Sequence, residues 1–372
     1  MSGYKMISSD SHVVEPEDMW KERIASEYKE RAPYLAREET TDQWYADGVK
    51  FGIVVAGTLA GQRFDDPTKL TFEGRYEDSL KGGFDPHAHV IDMDADSIAG
   101  GVLYPSVALD AYSIPDSGLL SAILSAYNDW LAEFCAPYPD RLKGITLLNV
   151  DEVGSAVEEL ERCAKMGLVG AAIPIKPGGH RYDHPIYTPL WAAAQDLRMP
   201  LSLHTGTFRW NKERGWQLKT QMADPVEQTN REYHVRNAMG AIILSGVFER
   251  FPKLRVGVVE FEIGWAPYFM NRLNDTYKDR PVGQTSYRFK EDMLPSDYFR
   301  RNVFISFQED DFGVAMRHYI GVENLMWGSD YPHPESTFPR SKEIVERIME
   351  GVPDEEARLI IRDNAAKLYG FG

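Results

Sequence analysis

Asp10 and His12 stand one residue apart, shortly after the apolar stretch Tyr4-Lys5-Met6-Ile7. On an extended strand such residues point to the same side, so a carboxylate and an imidazole there can grip one metal ion. Three more apolar runs lead to potential ligands: Leu201-Ser202-Leu203 to His204, Val258-Val259 to Glu260, and Trp327-Gly328-Ser329 to Asp330, with His333 three residues later. A single D-x-H triplet is a weak signal, because a turn after a strand gives the same letters. Its weight comes from repetition at the ends of separate apolar runs. Imidazole with carboxylate suits Zn, Mn or Fe, one or two ions per chain, and an ion with an open position activates water or polarises a substrate oxygen.

Such groups need a scaffold that brings the ends of distant strands together. Short apolar runs recur at 101–105, 144–150, 169–175, 200–204, 254–260, 303–307 and 325–328, making eight with the opening run. Amphipathic stretches lie between them at 117–134, 153–165, 189–197, 232–251 and 312–320. Eight strands separated by helices predict an α/β fold, a closed parallel (β/α)8 TIM barrel whose catalytic groups gather at the C-terminal ends of the strands. Such a barrel needs about 250 residues, and the chain has 372. The excess falls at about 36–86, 206–231 and 277–300, rich in Gly, Pro, aromatics and charge. These segments read as loop insertions forming a lid over a single 1–372 domain. Residues 353–368 read as a closing helix with Asp354 as its N-cap.

Lys plus Arg number 41 against 57 Asp plus Glu, a net charge of −16 that disfavours nucleic acid and anionic membranes as partners. Cys135 and Cys163 form no C-x-x-C pair, which argues against a disulfide framework or zinc knuckle. No window approaches the roughly 20 apolar residues of a membrane span. The expectation is a cytoplasmic protein acting on a small molecule.

The chain resembles the amidohydrolase superfamily, and within it the branch that includes the aminocarboxymuconate-semialdehyde and resorcylate decarboxylases. The likeness runs over nearly the whole chain, through DSHVVEP at 10–16, LHTG at 203–206, SGVFERFPKLRV at 245–256 and GSDYPH at 328–333. It implies that Asp10, His12, His204 and Asp330 are metal ligands, with Asp330 also able to handle a proton, and it is compatible with a homodimer. Two departures stand out. The branch often carries His or Glu where this chain has Asp10, and commonly a catalytic His followed by Gly where it has Glu260-Phe261-Glu262. With Glu260 in that place, a carboxylate-rich set of Asp10, His12, His204, Glu260 and Asp330, with His333 or His234 nearby, could hold two ions and a bridging oxygen.

The expected activity is metal-dependent hydrolysis or non-oxidative decarboxylation of a small cyclic or aromatic carboxylated substrate. Asp330, Glu260 and His333 are its candidate catalytic groups. Some proteins similar to this branch are binuclear non-haem iron oxygenases, so a di-iron monooxygenase is the alternative. A metal-free binding scaffold is disfavoured, because every expected metal position holds a competent ligand.

Directly after His204, residues 208–216 mix aromatic and cationic side chains. Arg209 or Arg214 could hold a substrate carboxylate bidentately while Trp210 packs against a ring, with His234 also near the substrate. Glu262 competes with Glu260 for the place facing the metal, since alternate residues of a strand share a face. His180 and His184 fall in a Gly- and Pro-containing turn, and His87, His89 and His318 are expected to be structural or exposed. Lys176, next to Pro177, reads as a rim charge.

Overall fold

A computed structural model describes residues 5–71, 73–209, 225–279 and 287–372. The first strand, β1 (Met6–Val13), is followed by a small antiparallel sheet of β2 (Tyr34–Arg37), β3 (Asp42–Ala46) and β4 (Val49–Ile53). Seven further strands then alternate with helices: β5 (Ile98–Pro105), β6 (Leu142–Leu147), β7 (Gly170–Ile173), β8 (Leu201–His204), β9 (Val256–Val259), β10 (Val303–Phe307) and β11 (Leu325–Trp327). They pair in parallel in chain order, from β1 through β5 to β11. Main-chain hydrogen bonds from His12 to Tyr331 and from Asp330 to Asp10 join the last strand's end back to the first, giving the (β/α)8 barrel the apolar runs predicted.

Those runs are continuous because strands of a parallel barrel are covered on both faces, by the helices outside and by packed side chains within. In β8, Leu201 and Leu203 alternate with Ser202 and His204, and all four are buried. Ser202 meets the Tyr104 hydroxyl at 2.8 Å inside the barrel, which places His204, two residues on, over the same interior. On the outside, Ser117–Cys135 buries Leu120, Ile123, Leu124, Tyr127, Leu131 and Phe134, an apolar stripe at three- and four-residue spacing. Asp116 starts that helix by accepting the Leu119 backbone N–H at 3.0 Å.

Several elements differ from expectation. The segment after β1 contains the ordered three-stranded sheet β2–β4, not only loops. The helix expected over 232–251 is two, Glu232–Leu244 and Val247–Arg250, because Gly246 adopts φ +73 between them. The stretch 312–320 is likewise divided, into Asp311–Ala315 and Arg317–Ile320. At the tail Pro353, not Asp354, occupies the cap position, and a π-helical turn interrupts the closing helix at Leu359–Asp363. Among the described residues, no helix is long and apolar enough to cross a membrane.

Candidate metal centre

Asp10 and His12 lie inside β1 rather than at its end, and His204 is the last residue of β8. Glu260 and Asp330 lie past the ends of β9 and β11, in the left-handed region at φ +65 and +60. That conformation is costly for a side-chain-bearing residue, and here it turns both carboxylates back over the barrel mouth.

The imidazoles are oriented by bonds on their far side. His12 Nδ1 lies 2.7 Å from the Pro105 carbonyl and His204 Nδ1 lies 3.0 Å from that of Thr205. A carbonyl only accepts, so each Nδ1 carries the hydrogen and each Nε2 offers a lone pair inward. His12 Nε2 is 3.5 Å from Asp10 Oδ1 and 3.1 Å from Asp330 Oδ1. His204 Nε2 is 3.4 Å from Asp10 Oδ1 and 3.5 Å from Glu260 Oε2.

These atoms converge on shared space more than they bond one another. Asp10, His12, His204 and Glu260 each offer a ligand atom within 4.8 Å of the others, as do His12, Asp330 and His333, and also Glu260, Asp330 and Glu335. His12 Nε2 and both Asp330 carboxylate oxygens are buried with no hydrogen-bond partner among the described residues. Buried, unpaired donor atoms of this type are costly unless a cation satisfies them.

The electrostatics point the same way. Burial pushes the Asp10 and Asp330 carboxyls up, but neighbouring imidazoles, His204 and His333 foremost, outweigh it and hold both below their ordinary values. Burial pulls His12 and His204 down, yet the surrounding carboxylates raise both. The cluster therefore demands positive charge, and a divalent cation can supply it in place of protons.

His333 stacks on His12 with ring centroids 3.8 Å apart, and its Nδ1 is 3.1 Å from Asp330 Oδ1. Its Nε2 is 3.0 Å from Ser106 Oγ, whose own hydrogen goes to the Val13 carbonyl at 2.8 Å. Ser106 must accept there, so His333 Nε2 carries a hydrogen and Nδ1 faces Asp330. Glu260 is raised by burial and by the nearby Asp330 charge. Glu262 does not compete for its place, because its carboxylate accepts the backbone N–H groups of Gln308 and Glu309 at 3.2 and 3.3 Å.

The substrate-binding expectation for Arg209 is corrected by its bonds. Arg209 is buried, with Nε 2.8 Å from Asp151 and further hydrogen bonds to the carbonyls of Tyr112, Ile114 and Pro115. Its guanidinium is committed to tying loops together. Trp210 and Arg214 lie outside the described residues. His234 is half-buried in the helix Glu232–Leu244 and meets Phe208 edge-to-face at 5.1 Å, outside the three ligand groups. His89 is buried on the Gly82 carbonyl and pushed down to about 4 by that burial, whereas His87, His180, His184 and His318 are exposed.

Two lining residues carry no signal in the sequence. Arg231 donates from Nη2 to Glu260 Oε1 at 2.7 Å and to Thr205 Oγ1 at 3.2 Å, and Glu335 approaches from the loop after Asp330. Both border a cavity of about 570 Å³ that opens beside Asp10, Glu260 and Asp330. This is within the range of pockets that hold a small molecule.

Comparison with known proteins agrees with the geometry. The amidohydrolase family model matches residues 84–371. The gamma-resorcylate decarboxylase of Rhodococcus jostii (strain RHA1) is 28% identical over 274 residues, which cover 69% of this chain and 79% of that relative. An amidohydrolase structure from Mycobacterium avium subsp. paratuberculosis K-10 superposes with a TM-score of 0.80 at 23% identity, covering 100% of both chains. A dihydroxybenzoic acid decarboxylase from Polaromonas sp. JS666, with bound manganese and the inhibitor 2-nitroresorcinol, gives 0.63 at 19% identity over 99% of this chain and 97% of that one.

Proposed function

The chain belongs to the amidohydrolase family, and from that premise we propose that it is a divalent-metal-dependent enzyme that removes the carboxyl group of a small aromatic acid without oxidation. The observation that carries this reading is the bonding of the two imidazoles. Pro105 and Thr205 fix His12 and His204 so that both Nε2 atoms face Asp10, with His12 Nε2 also facing Asp330 and His204 Nε2 facing Glu260, beside an open cavity. The relative named gamma-resorcylate decarboxylase supports the substrate class.

A divalent cation held by Asp10, His12, His204 and Asp330 would supply a Lewis acid for the substrate's oxygens. The chain's own residues handle position and protons. When the carbon–carbon bond breaks, its electron pair stays on the ring and takes a proton as carbon dioxide leaves. The Asp330 carboxylate borders the cavity and can pass on to the ring a proton supplied by His333, whose Nδ1 is 3.1 Å away. Ser106 holds His333 in the required orientation. Burial of the ligand set limits competing access of water.

The test is to incubate the manganese-loaded protein with hydroxylated benzoates and with cyclic amides. Carbon dioxide released in equal amount with the decarboxylated arene supports the reading; amide hydrolysis without carbon dioxide refutes it in favour of a hydrolase. One observation favours a second reading: Glu260, Asp330 and Glu335 offer oxygens within 4.8 Å of one another, a place for a second ion. Two irons per chain with oxygen uptake would identify the binuclear monooxygenase, and about one ion per chain the mononuclear enzyme.

A further inference from the structure

The cavity beside the metal ligands is strongly acidic. Of the side chains that line it, Asp10, Glu232, Glu260, Glu262, Asp330 and Glu335 are carboxylates, and Arg231 is the one arginine or lysine among the described residues. A substrate carboxylate entering this space is repelled by these acidic groups. The attractive places are the metal position and Arg231. Glu260 joins the two, since its Oε2 lies 3.5 Å from His204 Nε2 while its Oε1 accepts from Arg231 at 2.7 Å.

We infer that Arg231 recognises the carboxylate of the substrate and holds it beside the metal position, as the specificity-determining residue of the cavity. This rests on the carboxylated-substrate reading above. Arg231 has the necessary free valence. Nη2 is engaged by Glu260 and, at the longer distance of 3.2 Å, by Thr205, whereas Nε and Nη1 have no partner among the described residues. The side chain is 36% exposed and is among those lining the cavity, so a ligand can reach it. Its Glu260 partner fixes the guanidinium plane, which lowers the ordering entropy that binding must overcome. Arg209, the other described arginine near the strand-8 ligand, has its guanidinium committed to Asp151 and three carbonyls.

The test compares benzoate with benzamide, its neutral isostere, by calorimetric titration of the manganese-loaded protein, alongside carbon dioxide release from hydroxylated benzoates. Arg231→Gln should weaken benzoate by at least about tenfold, leave benzamide unchanged and retain manganese, because a hydrogen bond to a charged partner is lost. Arg231→Lys, which keeps the charge without the planar fork, should fall between. Equal weakening of both ligands, no weakening of benzoate, or a wild type that does not prefer benzoate would overturn the inference. So would loss of manganese from both variants, which would make Arg231 a positioning residue for Glu260. The two readings separate cleanly. Benzoate selectivity without any carbon dioxide release leaves Arg231 in its role and removes the decarboxylase. Carbon dioxide release with an unchanged KM in Arg231→Gln does the reverse.

Discussion

The backbone N–H of Asp330 donates to the carbonyl of Asp10 across 2.8 Å. The carboxylate that enters the site beyond the last barrel strand is thus tied, main chain to main chain, to the one on the first. A second bond, from the His12 N–H to the Tyr331 carbonyl at 2.6 Å, extends the seam. Closure of the barrel and placement of Asp10, His12 and Asp330 are therefore one structural fact. Anything that separates the two strands moves these side chains with them.

Gly328 sits in that seam, and an added Cβ there would lie 2.6 Å from Asp10 Cβ and 3.0 Å from its backbone nitrogen. Neither atom belongs to a flexible side-chain end, so the strand itself must shift. Gly328→Ala should lose about 1–3 kcal/mol of stability and weaken metal retention together. Gly154, in the helix Val153–Lys165, has nothing within 4 Å of such a Cβ, and Gly154→Ala should be neutral or stabilising by up to about 1 kcal/mol. Urea melts with metal content by elemental mass spectrometry check the pair; full metal in a stable Gly328→Ala protein would refute the seam argument.

His204 presents Nε2 to both Asp10 and Glu260, and its removal leaves two buried carboxylates facing each other. His204→Ala should lower metal affinity by more than about 100-fold, beyond the effect of losing an outer-shell partner. The fold should persist, since burial of the barrel core does not depend on that ring. Loading wild type with metal at about 1,000 times its Kd should add about 4 kcal/mol of stability, an increment that His204→Ala should lack. Native-like circular dichroism with undiminished metal in the variant would remove His204 from the site.

The barrel was legible because its strands are buried on both faces and so appear as short apolar runs, and because their mouth-facing ends carry His204, Glu260 and Asp330. Alternation in Leu201–His204 even indicates which side chains face inward. What was not legible depends on backbone conformation and long-range bonds. Glu260 and Asp330 lie past their strands at positive φ, so a strand rule that lets Glu262 share Glu260's face breaks down there. Arg231 comes at the end of an insertion, and no local pattern marks it as a partner of Glu260 29 residues away. Arg209 sits where a substrate cation could be expected, and only the position of Asp151 and three carbonyls reveals its structural role.

That role of Arg209 has its own consequence. Its side chain is buried, and removing it takes the ion-pair partner from half-buried Asp151 and a donor from three carbonyls. Arg209→Met should destabilise the protein by about 3–5 kcal/mol. Benzoate-over-benzamide selectivity in the folded fraction should not change. A stable variant with weakened carboxylate binding would return Arg209 to the substrate.

Outside the candidate metal centre, Asp96 is buried against the start of the helix Ser341–Ile348, accepting the Ser341 backbone N–H at 2.9 Å and its hydroxyl. Burial pushes its carboxyl up to about 6, and the Ser341 bonds offset this only in part. The folded protein thus holds this proton more tightly than the unfolded chain does, whose carboxyl keeps the ordinary value of 3.8. The resulting stability is whole below that ordinary value and is lost as pH rises through the folded value, up to about 3 kcal/mol in all. Asp96→Asn cannot ionise, and its amide can accept from the Ser341 N–H while donating to the Ser341 oxygen, whose hydrogen can turn to Thr337 Oγ1 at 2.6 Å. Relative to wild type, the variant should therefore gain stability between about pH 4 and pH 7, as read from urea midpoints at the two ends of that window. A stability difference between the proteins that stays constant across the window would show that Asp96 does not titrate on folding.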